Sequence, residues 1–198
     1  AADLAAHRVI SAGLGALARP WPVVSEEGDL AAATREAPPI YWLVDPIDGT
    51  KEFIANIPEY TVNIALVQRG LPVLGVVVVP AGGETYFGAA GCGAHCIRGG
   101  RQSRLEPSRA DRPRSAVVSR SHPSEATQAY LRKLGVTEVV AKGSSLKLCA
   151  VAEGSADFYP RLSPMHYWDT AAAAAVAIEA GCELTDVRNE PLRYDLAA

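Results

Sequence analysis

Two carboxylates lie three residues apart in the most informative stretch of the sequence, which reads WLVDPIDGTKEF over residues 42–53. They are Asp45 and Asp48, and an apolar run ends immediately before them. Pro46 biases Asp45 towards an extended conformation, so the chain can turn beyond it and bring both carboxylates towards the Ile47 carbonyl. Oxygen ligands of this kind are the ones that Mg²⁺ prefers, so the spacing indicates a divalent-cation site.

Gly49 and Thr50, the next two residues, have the character of an anion-binding turn. Glycine lets the backbone approach a bound group closely. Thr50 is predicted to begin a helix, whose free N–H groups attract an anion such as phosphate. An isolated pair of acids at this spacing is more often a polar turn with a helix cap. The complete string, with a cation site beside an anion site, favours phosphoryl chemistry over that alternative.

The string DPIDGT at residues 45–50 closely resembles the signature of the inositol-monophosphatase superfamily, a group of lithium-sensitive, metal-dependent phosphatases. Its continuation KEFI is similar to the 3′(2′),5′-bisphosphate nucleotidase (CysQ-type) branch of that family. Other segments resemble the family as well: residues 2–7, 24–27 and 168–172. Three segments resemble the nucleotidase branch specifically: residues 119–122, 143–147 and 159–161. The resemblance therefore extends over nearly the whole chain.

The resemblance implies Mg²⁺ as the cofactor, with two or three ions bound. The implied ligands are four carboxylates and one backbone carbonyl: Glu26, Asp45, the carbonyl of Ile47, Asp48 and Asp169. Asp3 and Thr50 would orient the attacking water. Together with the metal ligand Asp48, they are the candidate catalytic residues. Two ions about 3.5–4 Å apart can stabilise the attacking and leaving oxygens of a phosphoryl displacement.

The same resemblance supplies the candidate substrate-binding residues, which are Gly49, Thr50, Ser119, Arg120, His122, Ser145, Lys147 and Arg161. A nucleoside 3′,5′-bisphosphate carries a second phosphate that needs cations of its own. Arg120, Lys147 and Arg161 could supply them. The favoured substrate is therefore adenosine 3′,5′-bisphosphate, hydrolysed to AMP and phosphate, and the implied cellular role is clearance of this by-product of sulfate assimilation.

Two alternatives stay open from the sequence. The first is an inositol monophosphate or fructose-1,6-bisphosphate phosphatase on the same scaffold. The second, from another class, is a catalytically silent regulator that binds metal or nucleotide. The resemblance also leads us to expect a helical segment before Asp3 and a final strand after Tyr194, and the sequence includes neither.

The predicted elements place the candidate residues at the ends of strands and the beginnings of helices. Helices are predicted over residues 4–17, 124–134, 144–153 and 169–180. Strands are predicted at residues 23–24, 40–44, 61–68, 73–79, 85–87, 95–97, 117–118, 138–141 and 156–159. Residues 28–39 are predicted to form a surface loop or short helix, and the turn-rich residues 99–113 to form the boundary between two halves.

We expect an α+β half over residues 1–113, which holds the metal-binding motif, and an α/β half over residues 114–198, which contributes Asp169 and substrate contacts. The two halves are expected to pack as one compact unit. The resemblance implies a layered sandwich of alternating helix and sheet layers, like that of the sugar phosphatases.

The composition agrees with a folded globular protein and disfavours some other classes. The chain has 198 residues, of which 48% are hydrophobic, and a net charge of −3, which does not favour binding of a nucleic acid polymer. No apolar run approaches the ~18 residues of a membrane span. Cys92 and Cys96 are not followed at short spacing by the two further ligands that a zinc site needs. We therefore expect reduced thiols in a cytoplasmic protein. A homodimer is a candidate assembly.

Overall fold

Asp45 and Asp48 lie in the larger of two sheets, in a computed structural model that describes residues 1–29, 38–122 and 124–196. The seven strands of this sheet follow one another in chain order, and only the first pair is parallel. The strands are β1 (Val23–Ser25), β2 (Ile40–Asp48), β3 (Thr61–Gln68), β4 (Leu71–Val79), β5 (Glu84–Ala89), β6 (Gly93–Arg98) and β7 (Arg101–Arg104). Helix α1 (Ala2–Gly15) contacts β1 and β2, and the short α2 (Thr50–Ile54) follows β2.

The second sheet has two parallel strands, β8 (Ser115–Ser119) and β9 (Glu138–Lys142), connected by α3 (Glu125–Leu134). Helix α3 is capped at both ends. Ser124 accepts a hydrogen bond from the amide of Thr127, and Gly135 adopts a left-handed conformation with φ of 73°. Helix α4 (Leu146–Ala152) contacts β8, and α5 (Ala171–Ala180) packs on the larger sheet.

The contact between α5 and the larger sheet forms the main core, because both surfaces carry small side chains. Residues 171–177 of α5 are all buried, and six of these seven are alanines. Gly75 on β4 faces this helix so closely that a Cβ atom there would lie 2.0 Å from the carbonyl oxygen of Ala172. Small residues on both sides therefore allow the helix backbone to rest against the sheet, which fixes the position of the residues that precede α5.

The layered arrangement of helices and sheets agrees with the expected architecture, and most predicted elements are confirmed within a few residues. Three predictions needed correction. Strand β2 continues through the motif to Asp48 instead of ending at Asp45, and β7 lies inside the segment predicted to be only turns. The strand predicted at residues 156–159 is reduced to a single bridge between Ala116 and Phe158.

Most of the loop or short helix predicted at residues 28–39 lies outside the described residues. Among the described helices, none combines the length and the hydrophobicity needed to cross a lipid bilayer.

We predict that Gly75→Ala destabilises the protein, because the added methyl group would overlap the backbone of α5. Overpacking of this kind costs about 1–3 kcal/mol in the free energy of unfolding, measurable by urea denaturation. The control is Gly13→Ala, because Gly13 lies within α1 and a Cβ there meets nothing within 4 Å. That control should stabilise the protein by about 0.4–1 kcal/mol. An unchanged free energy of unfolding for Gly75→Ala would contradict the close packing of α5.

Candidate active site

The first pair of acids is assembled by the parallel pairing of β1 and β2. Ser25 is the register partner of Val44, and the amide of Glu26 donates to the Val44 carbonyl at 3.2 Å. Glu26 therefore follows β1 close to Asp45, and each of the two carboxyl groups affects the pKa of the other. Asp45 is only 1% exposed, and its Oδ1 also accepts from the amide of Ile47 at 3.1 Å. The buried carboxyl group of Asp45, within β2, is thus held next to the end of β1.

A break in strand register positions the second acid of the motif. Asp45 on β2 pairs with Asn63 on β3. The register between the two strands then shifts before Asp48 pairs with Thr61. Oδ2 of Asp48 accepts from Ser145 Oγ at 3.1 Å and lies 3.4 Å from Asn63 Nδ2. The shift therefore lets one strand present both Asp45 and Asp48 to the site, as β-bulges commonly do beside active sites.

Asp169 reaches the site from the residues that precede α5. Its Oδ2 accepts from the amide of His166 at 3.2 Å. The N-cap of α5 is Thr170, one residue further along the chain, so the carboxylate of Asp169 is not used as the helix cap. Ser145 Oγ lies 2.8 Å from the Asp169 carbonyl oxygen and within hydrogen-bond distance of Asp48, and so ties the two segments together.

The four acids oppose one another's ionisation. Burial raises the pKa of Asp45 to about 10, and the nearby charges of Asp48, Glu26 and Asp169 add to the effect. Burial also raises the pKa of Asp48 to about 6, although Lys147 opposes the shift. The pKa values of Glu26 and Asp169 are raised as well, again mainly by burial. Because like charges in a poorly solvated site disfavour ionisation, a bound cation would favour the charged form of all four carboxylates.

The chemistry of this donor set fits a hard divalent cation, since all of its donors are oxygens. Among the residues that the structure describes, no three Asp, Glu, His or Cys side chains already form a cluster that could hold an ion. Two buried oxygens beside the acids, Thr61 Oγ1 and Asn63 Oδ1, have no hydrogen-bond partner within the described part of the chain. The acids thus influence one another through their charges. The two buried oxygens can still accept hydrogen bonds.

A cavity of about 270 Å³ opens between the two sheets and places acids and cations together. Asp48 and Asp169 line it, and so do seven of the predicted substrate-binding residues: Gly49, Thr50, Ser119, His122, Ser145, Lys147 and Arg161. Gly49 adopts a φ of 89°, in the left-handed region that favours glycine, directly before α2 begins. The cavity therefore collects residues from segments far apart in the sequence.

The positive charges of the cavity lie close to one another. Lys147 is buried, and its Nζ lies 5.8 Å from the centre of the Tyr159 ring. Nζ of Lys51 lies 3.0 Å from Nε2 of His122. Burial lowers the pKa of His122, and the charges of Lys51 and Arg161 lower it further. An anionic group bound here would relieve that repulsion.

Two predicted residues are placed differently from the rest of the set. Arg120 does not line this cavity, because its guanidinium forms two hydrogen bonds with the carboxylate of Glu59 at 2.7 and 2.9 Å. Asp3, near the start of α1, is close enough to Glu26 for its charge to raise the pKa of that carboxyl group. The structure thus brings Asp3 towards the acids and turns Arg120 away from the cavity.

Three residues of the site were missed from the sequence. Lys51 and Glu52 were not predicted to belong to the site, yet both line the cavity and Glu52 is only 4% exposed. Asn63 contacts both Ser145 and Asp48. A signal for Asn63 exists, since it occupies an inward position of a strand whose other inward positions are mostly apolar. A polar side chain on a core-facing position is the pattern that would have identified it.

The chain is similar to known proteins over almost its whole length. The 3′(2′),5′-bisphosphate nucleotidase CysQ of Escherichia coli is 46% identical over 200 residues, covering 98% of this chain and 78% of the relative. The protein of the same name from Haemophilus influenzae is 34% identical, covering 98% of this chain and 74% of the relative.

Solved structures show the same fold. The crystal structure of CysQ from Bacteroides thetaiotaomicron superposes with a TM-score of 0.87 and 43% identity, covering 97% of this chain and 78% of that one. An inositol monophosphatase from Anabaena gives a TM-score of 0.79 at 27% identity, covering 96% and 77% of the two chains. The sequence profile of the inositol monophosphatase family matches residues 1–197. The chain therefore belongs to the inositol monophosphatase family.

Proposed function

We propose that this protein is a phosphatase that removes the 3′-phosphate of adenosine 3′,5′-bisphosphate, leaving AMP and phosphate. The observation that carries the proposal is the cavity in which Asp48 and Asp169 lie with Lys51, Lys147 and Arg161. The acids would hold cations beside the phosphate that is cleaved, and the basic side chains would hold a second phosphate. The similarity to the CysQ nucleotidases supports the same substrate class.

We propose Mg²⁺ as the cofactor, with two or three ions held by Glu26, Asp45, the Ile47 carbonyl, Asp48 and Asp169. The raised pKa of Asp45 and the all-oxygen donor set support this proposal. When bound, such ions act as Lewis acids that polarise the phosphoryl group and lower the pKa of a bound water.

The protein's own groups have separate roles in this proposal. The amides of Gly49 and Thr50 would donate to the phosphoryl oxygens, where negative charge develops. Asp3 and Thr50 would orient the attacking water. Lys147 and Arg161 would bind the second phosphate. Ser119, His122 and Ser145 would contact the rest of the nucleotide, and Lys51, which lies beside His122, adds a further positive charge.

The resemblance to the nucleotidase branch supports several further proposals. They are a cytoplasmic location, a role in clearing a by-product of sulfate assimilation, inhibition by lithium at the magnesium sites, and assembly as a homodimer.

A comparison of substrates tests the proposed reaction. With Mg²⁺ present, we expect kcat/KM for adenosine 3′,5′-bisphosphate to exceed that for inositol monophosphate and for fructose-1,6-bisphosphate. The measurement is phosphate release at matched substrate concentrations. A higher kcat/KM for inositol monophosphate would reject the nucleotidase assignment. Absence of any Mg²⁺-dependent release would favour the silent regulator.

We predict that Asp48→Asn lowers kcat by about 10²-fold or more, because it removes a charged ligand from the cations that stabilise the transition state. The amide can still accept the hydrogen bond from Ser145, so the thermal unfolding midpoint should stay near that of the wild type. Steady-state kinetics and a thermal melt of the same preparation check the two expectations. An unchanged kcat would remove Asp48 from the mechanism.

We predict that the protein becomes less stable as the pH rises from about 5 to 8 when Mg²⁺ is removed with EDTA. The folded-state pKa values of Asp45, Asp48, Glu26 and Asp169 are all raised. The folded state therefore holds more protons than the unfolded state in this range, and its stability falls as the pH rises through it. Excess Mg²⁺ should offset the loss by binding only the folded state.

The variant Asp45→Asn provides the matched test of this linkage. It should unfold at a higher temperature than the wild type at pH 8 in EDTA and should respond less to added Mg²⁺. Glu106→Gln, at an exposed acid outside the cavity, is the control and should behave like the wild type. A rise in the wild-type melting temperature between pH 5 and pH 8 in EDTA would contradict the prediction.

A further inference from the structure

Glu59 connects the chain just before β3 to two segments that follow β8 and β9. Its carboxylate accepts from Arg120 Nε at 2.7 Å and from Arg120 Nη2 at 2.9 Å. The same carboxylate accepts from the amide of Gly143 at 2.7 Å. Arg120 follows β8, and Gly143 follows β9. One side chain therefore holds both segments against the larger sheet.

The contact between Glu59 and the 143–145 segment is closely fitted. A Cβ atom at Gly143 would lie 2.7 Å from the backbone oxygen of Glu59, which leaves no room for a side chain. The hydroxyl of Ser144 donates to the same backbone oxygen, and Ser144 has a φ of 39° in the left-handed region. A non-glycine residue in that region is held there by its surroundings, and the hydrogen bonds to Glu59 supply that restraint.

The restrained segment carries two groups of the candidate active site. Ser145 Oγ lies 3.1 Å from Asp48 Oδ2 and 2.8 Å from the carbonyl oxygen of Asp169. Lys147 donates from Nζ to the carbonyl of Ser144 and lines the cavity. A shift of residues 143–145 would therefore move the hydrogen bond to Asp48 and the buried ammonium together.

The pair of Glu59 and Arg120 differs from an ordinary surface ion pair. The Glu59 side chain is only 14% exposed, and it accepts three hydrogen bonds with good distances. Arg120 also donates from Nη2 to the carbonyl of Ala141 at 2.9 Å, so its guanidinium is tied to β9 as well as to Glu59. Such multiple charge-assisted bonds fix geometry better than a single exposed contact does.

We propose that Glu59 is a positioning residue, which sets Ser145 and Lys147 against Asp48 through Gly143, and that Arg120 acts by bracing Glu59 and not by binding the second phosphate. This inference rests on the proposed function for its kinetic readout. It assigns Arg120 a different role from the phosphate contact that the sequence favoured.

The test compares Glu59→Ala, Glu59→Gln and Arg120→Gln on two substrates. These are adenosine 3′,5′-bisphosphate and 3′-AMP, which lacks the second phosphate. Because displacement of a catalytic group by ~1 Å can cost ~10²-fold in rate, Glu59→Ala should lose kcat by about that factor on both substrates. In Glu59→Gln and Arg120→Gln, kcat should fall by about tenfold. The fall is smaller because the side chain at position 59 still accepts a hydrogen bond from the Gly143 amide in both variants. KM for 3′-AMP should change little, which separates misplacement of catalytic groups from loss of binding of the phosphate that is cleaved.

Arg188→Gln is the matched control, because it breaks an exposed ion pair with Asp186 outside the cavity. Its kcat should stay within about twofold of the wild type, since surface ion pairs contribute little. Wild-type kcat in Glu59→Ala, or in Glu59→Gln if the alanine variant does not fold, would overturn the proposal. A KM increase for the bisphosphate in Arg120→Gln that Glu59→Gln does not share would also overturn it, by assigning Arg120 directly to the second phosphate.

The design separates this inference from the proposed reaction. If the wild type prefers inositol monophosphate, the substrate assignment fails, and the same kcat ratios measured on that substrate still decide the role of Glu59. If the wild type hydrolyses none of these compounds, the readout is the Mg²⁺ concentration that gives half of the maximal rise in melting temperature. That concentration should be higher in Glu59→Gln than in the wild type, because Asp48 is held less well, and equal values would overturn the proposal.

Discussion

Repulsion among the carboxylates gathered around the buried Asp45 is the constraint on which this site depends. Asp45 is almost completely buried, yet Glu26, Asp48 and Asp169 all lie close enough to raise its pKa. A fold that served stability alone would not gather these acids, because each one opposes the ionisation of the others. Their presence in one place is explained when divalent cations compensate the charge, and the surrounding structure maintains the arrangement at a cost in stability.

Each of the two sheets contributes different residues to the site. The larger sheet presents Asp45 and Asp48 from one strand, and α5 can lie against that sheet only because small residues such as Gly75 line the contact. The close packing holds Asp169, just before the helix, at a fixed distance from the motif. The segments that follow β8 and β9 contribute hydroxyl and basic groups, among them Ser145. Catalytic geometry therefore depends on how these pieces are held together.

Polar residues where the segment after the motif contacts the chain beyond β8 can support the site without contacting a substrate. Glu59 and Glu52 both lie on the segment that follows the motif, and each accepts a hydrogen bond from the chain beyond β8, from Arg120 and Ser121 respectively. Burial opposes ionisation of Glu59, but the bonds from Arg120 and Gly143 outweigh it and lower the pKa of Glu59. A carboxylate that stays charged is well suited to hold two segments in register.

The sequence alone determined the motif, the family resemblance and most element positions, because strand and helix periodicity and the DPIDGT string are local patterns. It could not determine that β2 continues through the motif, since the register shift before Asp48 arises from pairing with β3. Nor could it show which basic residues face the cavity. Arg120 and Lys51 both lie beside family motifs, and only tertiary packing turns Arg120 onto Glu59 and places Lys51 beside His122. The physical reason is that side-chain partners far apart in the chain depend on the packing of whole elements, which no local pattern encodes.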